Sequence, residues 1–308
     1  MRRRLASLVR RLVDRIAPIP ESPPPPAPDS GALEALARAE ALLGARLGYL
    51  HGGLAHVAAE VARLAGPRDP RAVCFARGQV YSQNEEDGII AEILGRIGVE
   101  SRVFVEIGVG SGVENNTRLL LETGWSGLWL EGDETHVATI RTLLAPHLEA
   151  GRLALAPGMV SAENVAATVD GYLAGRVPDV LSVDIDHNTS HVWRALGHLR
   201  PRLAVIEYNA HFPPQTDWEI PYDPEGIWES STRFGASLAA LQRIGEANGM
   251  RLVGCDLLGV NAFFVRADLV DETRFLPPFD ARTHHRPPAF DLVRMNGHPR
   301  HAGVLGRR

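Results

Sequence analysis

Residues 103–117 read V-F-V-E-I-G-V-G-S-G-V-E-N-N-T. Apolar residues surround one acid, Glu106, and glycines then occupy every second position at Gly108, Gly110 and Gly112. An apolar run that ends in such a loop predicts a buried strand followed by a turn against which another group packs closely, because glycine has no Cβ. Ligands of parallel sheets bind where the strands end, so the stretch predicts a ligand site. Residues 115–117 either cap the helix that follows or touch the ligand, and we favour capping.

Seven short apolar runs alternate with helical segments from residue 102 onwards. This alternation predicts an α/β fold with a mostly parallel sheet covered by helices on both faces. The last two runs are close together, with a turn at 258–259, and they predict one antiparallel strand at the edge of the sheet. The predicted strands are Val103–Ile107, Gly127–Glu131, Arg152–Ala156, Val180–Asp184, Leu203–Tyr208, Arg251–Asp256 and Asn261–Arg266.

The composition limits the classes of protein that fit. The chain has 308 residues, is 45% hydrophobic and carries a net charge of −5, which suits one domain of about 200–250 residues with an extension. It has no apolar run long enough to span a membrane and no basic excess that indicates nucleic-acid binding. Cys74 and Cys255 are far apart in sequence and are expected to be reduced core residues of a cytoplasmic protein.

The first 70 residues predict an extension outside the sheet. Residues 1–17 form a basic amphipathic pattern that fits the inner face of a membrane or a partner in glycan assembly, and a partly ordered tail is the open alternative. Residues 18–30 form a proline-rich linker. A heptad seam then predicts either a dimerising helix or a helix that lies across the catalytic domain; we favour dimerisation, hence a homo-oligomer. The seam residues are Leu43, Leu47, Leu50, Leu54, Val57, Val61 and Leu64. The predicted segments are therefore 1–17, 18–30, a helical oligomerisation segment 31–70, a main domain 71–270 and an irregular tail 271–308.

A second motif, L-W-L-E-G-D at 128–133, helps to define the ligand. It places Glu131 at the end of the second predicted strand, where a carboxylate can accept hydrogen bonds from both hydroxyls of a ribose. Glu106 would repel a diphosphate and attract a cation. Together the two acids favour S-adenosylmethionine over a nicotinamide dinucleotide, which is the weakest alternative.

E-I-G-V-G-S-G followed by L-E-G-D resembles the nucleotide half of the class I S-adenosylmethionine-dependent methyltransferases, and Y-S-Q-N-E-E-D at 81–87 is similar to a segment of the FkbM-like members. The resemblance covers about residues 79–267. It implies a Rossmann-like methyltransferase sheet and methylation of hydroxyls on sugars and natural products. FkbM-like sequences commonly have D-x-G-A-N-x-G in the glycine motif, and this chain departs from that pattern. The cofactor-binding residues expected here are Gln83, Asp87, Glu106, Gly108, Gly110, Gly112, Glu131, Asp133 and Asp184. For the segment 81–87, a Ser82 that caps a helix starting at Asn84 is the simpler alternative.

The fourth and fifth predicted strands end in V-D-I-D-H-N at 183–188 and V-I-E-Y-N-A-H at 205–211. These ends are neighbours, so we expect the side chains of Asp184, Asp186 and Glu207 to converge beside the glycine loop. Three facing carboxylates repel one another unless protons or a cation intervene. Oxygen ligands of this kind suit Mg²⁺ or Mn²⁺.

The same region looks similar to the metal-dependent O-methyltransferases of catechols and macrolide sugars. That resemblance implies a metal held by Asp184 and Glu207, with Asn209 or Asp186 completing the set of four candidate ligands. The macrolide-sugar type has a histidine three residues after the strand-four acid, as His187 is here, so His187 is the expected general base, with His211 and Asp186 as alternatives. In a metal-free alternative, Asp184 contacts the methyl donor and Asp186 or His187 takes the proton.

The segment 211–228 is rich in aromatic and acidic residues, which suits recognition of a sugar, although a plain surface loop also fits. We therefore predict O-methylation of a sugar hydroxyl on a glycan or glycosylated metabolite, with S-adenosylmethionine as the donor. Two alternatives remain open. One is methylation of another small-molecule acceptor, and the other is a catalytically silent scaffold in glycan assembly.

Overall fold

The structure, a computed structural model, describes residues 30–65 and 69–290. The chain divides into two units, one up to Tyr49 and one from Leu50. The predicted basic helix at 1–17 and the proline-rich linker up to residue 29 lie outside the described residues, as does the predicted tail from residue 291.

The predicted N-terminal helical extension is present as one helix of 36 residues, α1 (Ser30–Ala65). It continues through Gly52 and Gly53, although glycine costs roughly 1 kcal/mol relative to alanine inside a helix. None of the helices in the described ranges combines the length and the apolar character that a bilayer-spanning helix needs.

The seven predicted strands all form, and their ends differ from the predicted ones by one residue at most. They make one sheet in the order β3-β2-β1-β4-β5-β7-β6. Neighbours from β3 to β5 pair in parallel, whereas β7 is antiparallel to both β5 and β6. The Rossmann-like methyltransferase sheet is thereby confirmed, with its antiparallel strand, β7, next to the edge strand β6. The strands are β1 (Val103–Ile107), β2 (Ser126–Glu131), β3 (Leu153–Pro157), β4 (Val180–Val183), β5 (Leu203–Glu207), β6 (Met250–Cys255) and β7 (Asn261–Arg266).

Helices cover both faces of the sheet, which is why every residue of β1, β4 and β5 is buried and these strands are almost continuously apolar. One core contains side chains of α2 to α4, and the other contains side chains of α6 to α8. The described part of the predicted tail adds Phe275 and Ala281 to these cores. The helices after α1 are α2 (Glu86–Ile97), α3 (Arg118–Glu122), α4 (Glu134–Leu143), α5 (Ala145–Glu149), α6 (Val165–Leu173), α7 (Thr189–Ala195), α8 (Leu238–Ala247) and α9 (Ala281–His284).

A buried acid anchors the amino-terminal ends of the central strands β1 and β4. The Asp179 carboxylate, just before β4, accepts hydrogen bonds from the backbone N–H groups of Glu100, Ser101 and Arg102 at 2.6–3.2 Å. These contacts set the level at which β1 and β4 begin. The carboxyl ends of the two strands consequently meet at the opposite edge, where the predicted site residues lie.

Candidate functional site

A cavity of about 760 Å³ opens at the carboxyl ends of β1, β2 and β4, a size typical of small-molecule sites. Most of the residues predicted to bind a cofactor line it, but Asp87 and Gly112 do not. The predicted cofactor residues on its wall are Gln83, Glu106, Gly108, Gly110, Glu131, Asp133 and Asp184. Asp186 also lines the cavity.

The Glu106 carboxylate organises the loop after β1. It accepts hydrogen bonds from the Asn115 side-chain amide at 2.6 Å, from the backbone N–H of Asn116 and Thr117, and from the Thr117 hydroxyl at 2.5 Å. Burial raises the pKa of Glu106, and the hydrogen bonds act against that rise. The expectation that residues 115–117 cap the next helix is therefore wrong, because their donors are bound to Glu106 and Thr117 makes no side-chain cap for α3.

The three glycines of the loop serve different needs. A Cβ on Gly108 would lie 1.7 Å from the Asp184 carbonyl oxygen, so this position is required for β1 and β4 to approach. A Cβ on Gly112 would lie 2.8 Å from the Trp129 ring. A Cβ on Gly110 would meet no atom within 4 Å and would stand at the cavity wall, where φ is +55°. Only Gly110 is thus left to face a ligand.

Arg118 was not anticipated from the sequence, and it holds the end of the glycine loop. Its side chain is buried and donates to the Gly112 carbonyl at 2.8 Å. It also pairs with Glu122 at 2.7 Å and lies over the Tyr81 ring. An arginine at the start of a short helix carries no sequence signal for this contact, because its partners come from three separate segments.

Asp87 lies in the first turn of α2, where its carboxylate holds the preceding turn, and it does not line the cavity. One of its oxygens accepts from the backbone N–H of Val80, Tyr81 and Ser82, and its own N–H donates to the Ser82 hydroxyl at 2.9 Å. The helix starts at Glu86, not at Asn84, and Ser82 pairs with Asp87. This exchange of hydrogen bonds fixes the turn that carries Gln83 to the cavity.

Glu131 and Asp133 lie together at the rim after β2. The Asp133 N–H donates to Glu131 Oε1 at 2.8 Å, and the Asp133 carboxylate caps α4 by accepting from Thr135 and His136. The hydrogen bonds from His136 and Thr135 lower the pKa of Asp133. The bond from the Asp133 N–H orients Glu131 towards the cavity, and the helix cap engages the Asp133 carboxylate.

Asp184, Asp186 and Glu207 form an acid cluster in which one oxygen of each lies within 4.8 Å of the others. The carboxyl groups of Asp184 and Glu207 lie close enough for a proton between them to relieve their repulsion. Burial and the nearby Asp186 raise the pKa of Asp184 to about 7, and burial and Asp184 raise the pKa of Glu207 well above its ordinary value. The three carboxylates thus repel one another, and bound protons or a cation can offset their negative charge.

Backbone geometry holds the acid cluster in place. Asp186 adopts a left-handed conformation with φ +58°, which is uncommon for a residue with a Cβ. In that conformation its N–H donates to Glu207 Oε2 at 3.0 Å, and the Thr189 hydroxyl approaches the same oxygen at 3.2 Å. Strain of this kind concentrates at functional sites.

Asn209 and His211, two further predicted site residues, are held by other contacts. The Asn209 amide donates to the carbonyls of Thr232 and Phe234 and accepts from the His211 N–H, so both ends of it are occupied. His211 is exposed and packs edge-on against the Phe290 ring at 5.6 Å. The structure therefore brings together three of the four predicted metal ligands.

His187 is buried directly behind the cavity wall. Its Nε2 has no hydrogen-bond partner among the described residues. A Cβ on Gly226, which lines the cavity, would lie 2.5 Å from that nitrogen. Asn188 ties the same wall to β4 by donating to the Asp223 carbonyl at 2.6 Å. Gly226 thus separates this unpartnered imidazole nitrogen from the cavity.

The aromatic segment 211–228 is partly used by the protein itself. Phe212 and Trp218 stack on each other at 4.5 Å, and Tyr222 bonds to Glu163. The acids are partly used too, since Asp217 pairs with an arginine of α8 at 3.0 Å. Trp228 is 45% exposed and is the aromatic ring of this segment that is left most open.

Two cavity residues come from distant parts of the chain. Asn261, the first residue of β7, donates to Glu86 at 2.9 Å, and it lies opposite Glu207 in the sheet. The oxygen of its amide is buried without a hydrogen bond among the described residues. Asn261 had no sequence signal, because only the antiparallel pairing of β7 with β5 brings it to the site.

The charge of the cavity wall is one-sided. Seven acids line it, and no arginine does; His136 is the one basic side chain among the described lining residues. This wall disfavours a diphosphate and favours a cationic ligand. The seven acids are Glu86, Glu106, Glu114, Glu131, Asp133, Asp184 and Asp186.

Several solved structures are similar to this chain. A Klebsiella pneumoniae protein described as an O-methyltransferase is 16% identical, with 70% of this chain and 97% of that chain covered and a TM-score of 0.40. Cofactor-bound Rv0187 from MTB is 18% identical, with coverage of 68% and 96% and a TM-score of 0.41. An O-methyltransferase family 2 protein from Planctomyces limnophilus in complex with apigenin is 15% identical over 53% of this chain, which spans half of that longer chain, with a TM-score of 0.32.

No protein-family model matches the sequence, and no curated protein sequence does. At 15–18% identity and TM-scores of 0.32–0.41, the structural likenesses do not assign an activity. The residues that line the cavity are the basis for proposing an activity.

The glycines allow a test of which loop position faces the ligand. We expect Gly108→Ala to unfold the protein at a markedly lower temperature, because its Cβ would overlap the Asp184 carbonyl. Gly110→Ala should cost only about 1 kcal/mol for its left-handed backbone, yet weaken cofactor binding at least tenfold. Thermal unfolding and calorimetric titration with S-adenosylhomocysteine measure both effects. Unchanged binding by Gly110→Ala would place the ligand elsewhere.

Proposed function

We propose that this chain is an S-adenosylmethionine-dependent methyltransferase. The supporting observation is the cavity at the ends of β1, β2 and β4, with seven acids and no arginine on its described wall. A ligand that suits this wall brings positive charge, whereas the diphosphate of a dinucleotide would add negative charge. S-adenosylmethionine supplies a methyl group on a positively charged sulfonium, from which a nucleophile can displace it.

Three parts of the wall bind the donor. Glu131 accepts hydrogen bonds from the ribose hydroxyls at the end of β2, Gly110 lets the loop backbone approach, and Gln83 lies towards the amino acid end. Glu106 acts indirectly, since its carboxylate is bonded to residues 115–117 and shapes the loop. Rigid positioning of this kind is a large part of how enzymes lower activation barriers.

Titration with S-adenosylhomocysteine tests the donor site. We expect micromolar binding by the wild-type chain and a loss of at least tenfold in Glu131→Ala, since the two ribose hydroxyls lose their acceptor. Glu134→Ala is the matched control, because this exposed acid belongs to α4 three residues later. Failure of the wild-type chain to bind under any metal condition would overturn the proposed function and favour the scaffold alternative.

The acceptor is a sugar hydroxyl, and a divalent ion assists its methylation. This part of the proposal is supported by the acid cluster, in which Asp184, Asp186 and Glu207 offer three oxygens within 4.8 Å of one another. Such a donor set suits Mg²⁺ or Mn²⁺, which lower the pKa of a bound hydroxyl. Trp228, half exposed beyond Gly226, offers a ring for the face of the sugar. We also propose that the chain belongs to the FkbM-like methyltransferases.

Metal binding can be measured without turnover. We expect Mn²⁺ to bind the wild-type chain and to bind at least tenfold more weakly to Glu207→Gln, because an amide replaces one anionic oxygen of the cluster. Affinity for S-adenosylhomocysteine should stay within about threefold, since Glu207 does not line the donor cavity. Glu225→Gln, an exposed acid of the segment 211–228, is the control. Equal Mn²⁺ affinity in both variants would remove the metal from the proposal and leave the proton-sharing pair.

His187 is the general base of the proposed reaction. Its free Nε2 lies behind Gly226, so the segment 211–228 has to shift at that residue when the acceptor binds. Nε2 then takes the proton of the acceptor hydroxyl as the oxygen forms its bond to the methyl carbon and the carbon–sulfur bond breaks, which leaves S-adenosylhomocysteine. Nothing described competes for that nitrogen. In the metal-free alternative, Asp186 is a second candidate for the same proton.

The two histidines at the strand ends form a matched pair for the test. His187→Ala should lower the turnover number by about 10²–10⁴, the range for a lost general base, with cofactor affinity unchanged. His211→Ala should keep wild-type turnover, because His211 is exposed and packs on Phe290. The reverse order would assign the base to His211. Turnover on amines or carboxylates with none on sugars would retain the methyltransferase and replace the acceptor class.

A further inference from the structure

We propose that α1 is a self-association surface and that its occupant is a second copy of this chain. The surface, called the seam below, consists of one leucine or valine at every third or fourth position of the helix. Its described residues are Leu43, Leu47, Leu50, Leu54, Val57 and Val61. The proposal does not depend on the proposed function, because no seam residue lines the cavity.

The seam is open in the single chain. Its six side chains are between 58% and 73% exposed. On the opposite side of the helix, Gly52 and Ala55 are buried. The helix thus turns its small residues inward and its large apolar residues outward, the reverse of a helix that packs its own apolar stripe on its own chain. This distribution favours the first of the two alternatives predicted from the sequence.

The spacing of the seam suits a copy of itself. Steps of 4, 3, 4, 3 and 4 residues keep apolar side chains on one line along a helix, and two such lines pack knobs into holes. A symmetric contact between identical surfaces closes after two copies. Six side chains that each present on the order of 100 Å² would bury roughly 1,200 Å² in a pair, the lower limit of specific interfaces.

The positions beside the seam also favour a second copy over a partner recognised by charge. The described flanking residues are Gly44, His51 and Ala58 on one side and Arg46 and Gly53 on the other. Arg46 is the one permanent charge among these five, so two copies meet without a row of like charges. A Cβ on Gly44 or Gly53 would meet no atom within 4 Å, which leaves room for close approach of another helix.

The mass of the full-length chain in solution tests the proposal. We expect light scattering after gel filtration at micromolar concentration to give twice the 33.5 kDa of one chain. The double variant Leu50→Glu, Leu54→Glu should run as a monomer, with an apparent dissociation constant raised at least a hundredfold. Circular dichroism should show an unchanged unfolding transition of the main domain, which separates lost association from lost folding.

Tyr49→Glu is the matched control. Among the large apolar side chains of α1 that the structure describes, Tyr49 is the most exposed, at 77%. It lies outside the heptad spacing, so this variant should keep the wild-type mass. A wild-type monomer overturns the proposal, and sedimentation with phosphatidylserine vesicles through the same leucines would then identify a membrane as the occupant. A double variant that keeps the wild-type mass overturns it as well.

Discussion

The architecture of the site depends on the buried carboxylate of Glu106. It stands at the end of the central strand β1, and it accepts hydrogen bonds from the three residues that close the glycine loop. Taking a carboxylate out of water is costly unless donors surround it, so the loop must fold back over the strand end to supply them. That return path leaves Gly110 on the cavity wall and sends the chain into α3.

Around Glu106 the protein buries more acidic side chains than the stability of the fold favours. Burial raises the pKa values of Glu86, Asp184 and Glu207, and no arginine among the described lining residues offsets them. A fold selected for stability alone would replace such groups with apolar ones. Under the proposed function, a cationic donor and a divalent ion would both relieve this conflict.

Under the proposed function, the donor and acceptor sides of the cavity have different origins. The donor side comes from the ends of β1 and β2 and is set by the sheet. The acceptor side comes from the ends of β4 and β5 together with the long segment after β5, which is tied down by the bond from Asn188 to the Asp223 carbonyl. The wall at Gly226 is thin enough for His187 to lie directly behind it. Changes in that segment can alter the acceptor while the donor site stays intact.

The sequence by itself determined the elements. Apolar runs between helical patterns located all seven strands, because the pattern of apolar and polar residues along the chain reflects which side chains are buried. Strand-end positions likewise identified Glu131, Asp184 and Glu207, since parallel strands bring their carboxyl ends to one edge. The tertiary structure decided which polar groups remain free. It assigned Asp87 to the backbone N–H groups of the turn before α2, Asn209 to loop carbonyls and residues 115–117 to Glu106. It also brought Asn261 to the cavity through the pairing of β7 with β5. Hydrogen-bond partners from distant segments compete for each donor and acceptor, and that competition is resolved only when the chain is folded.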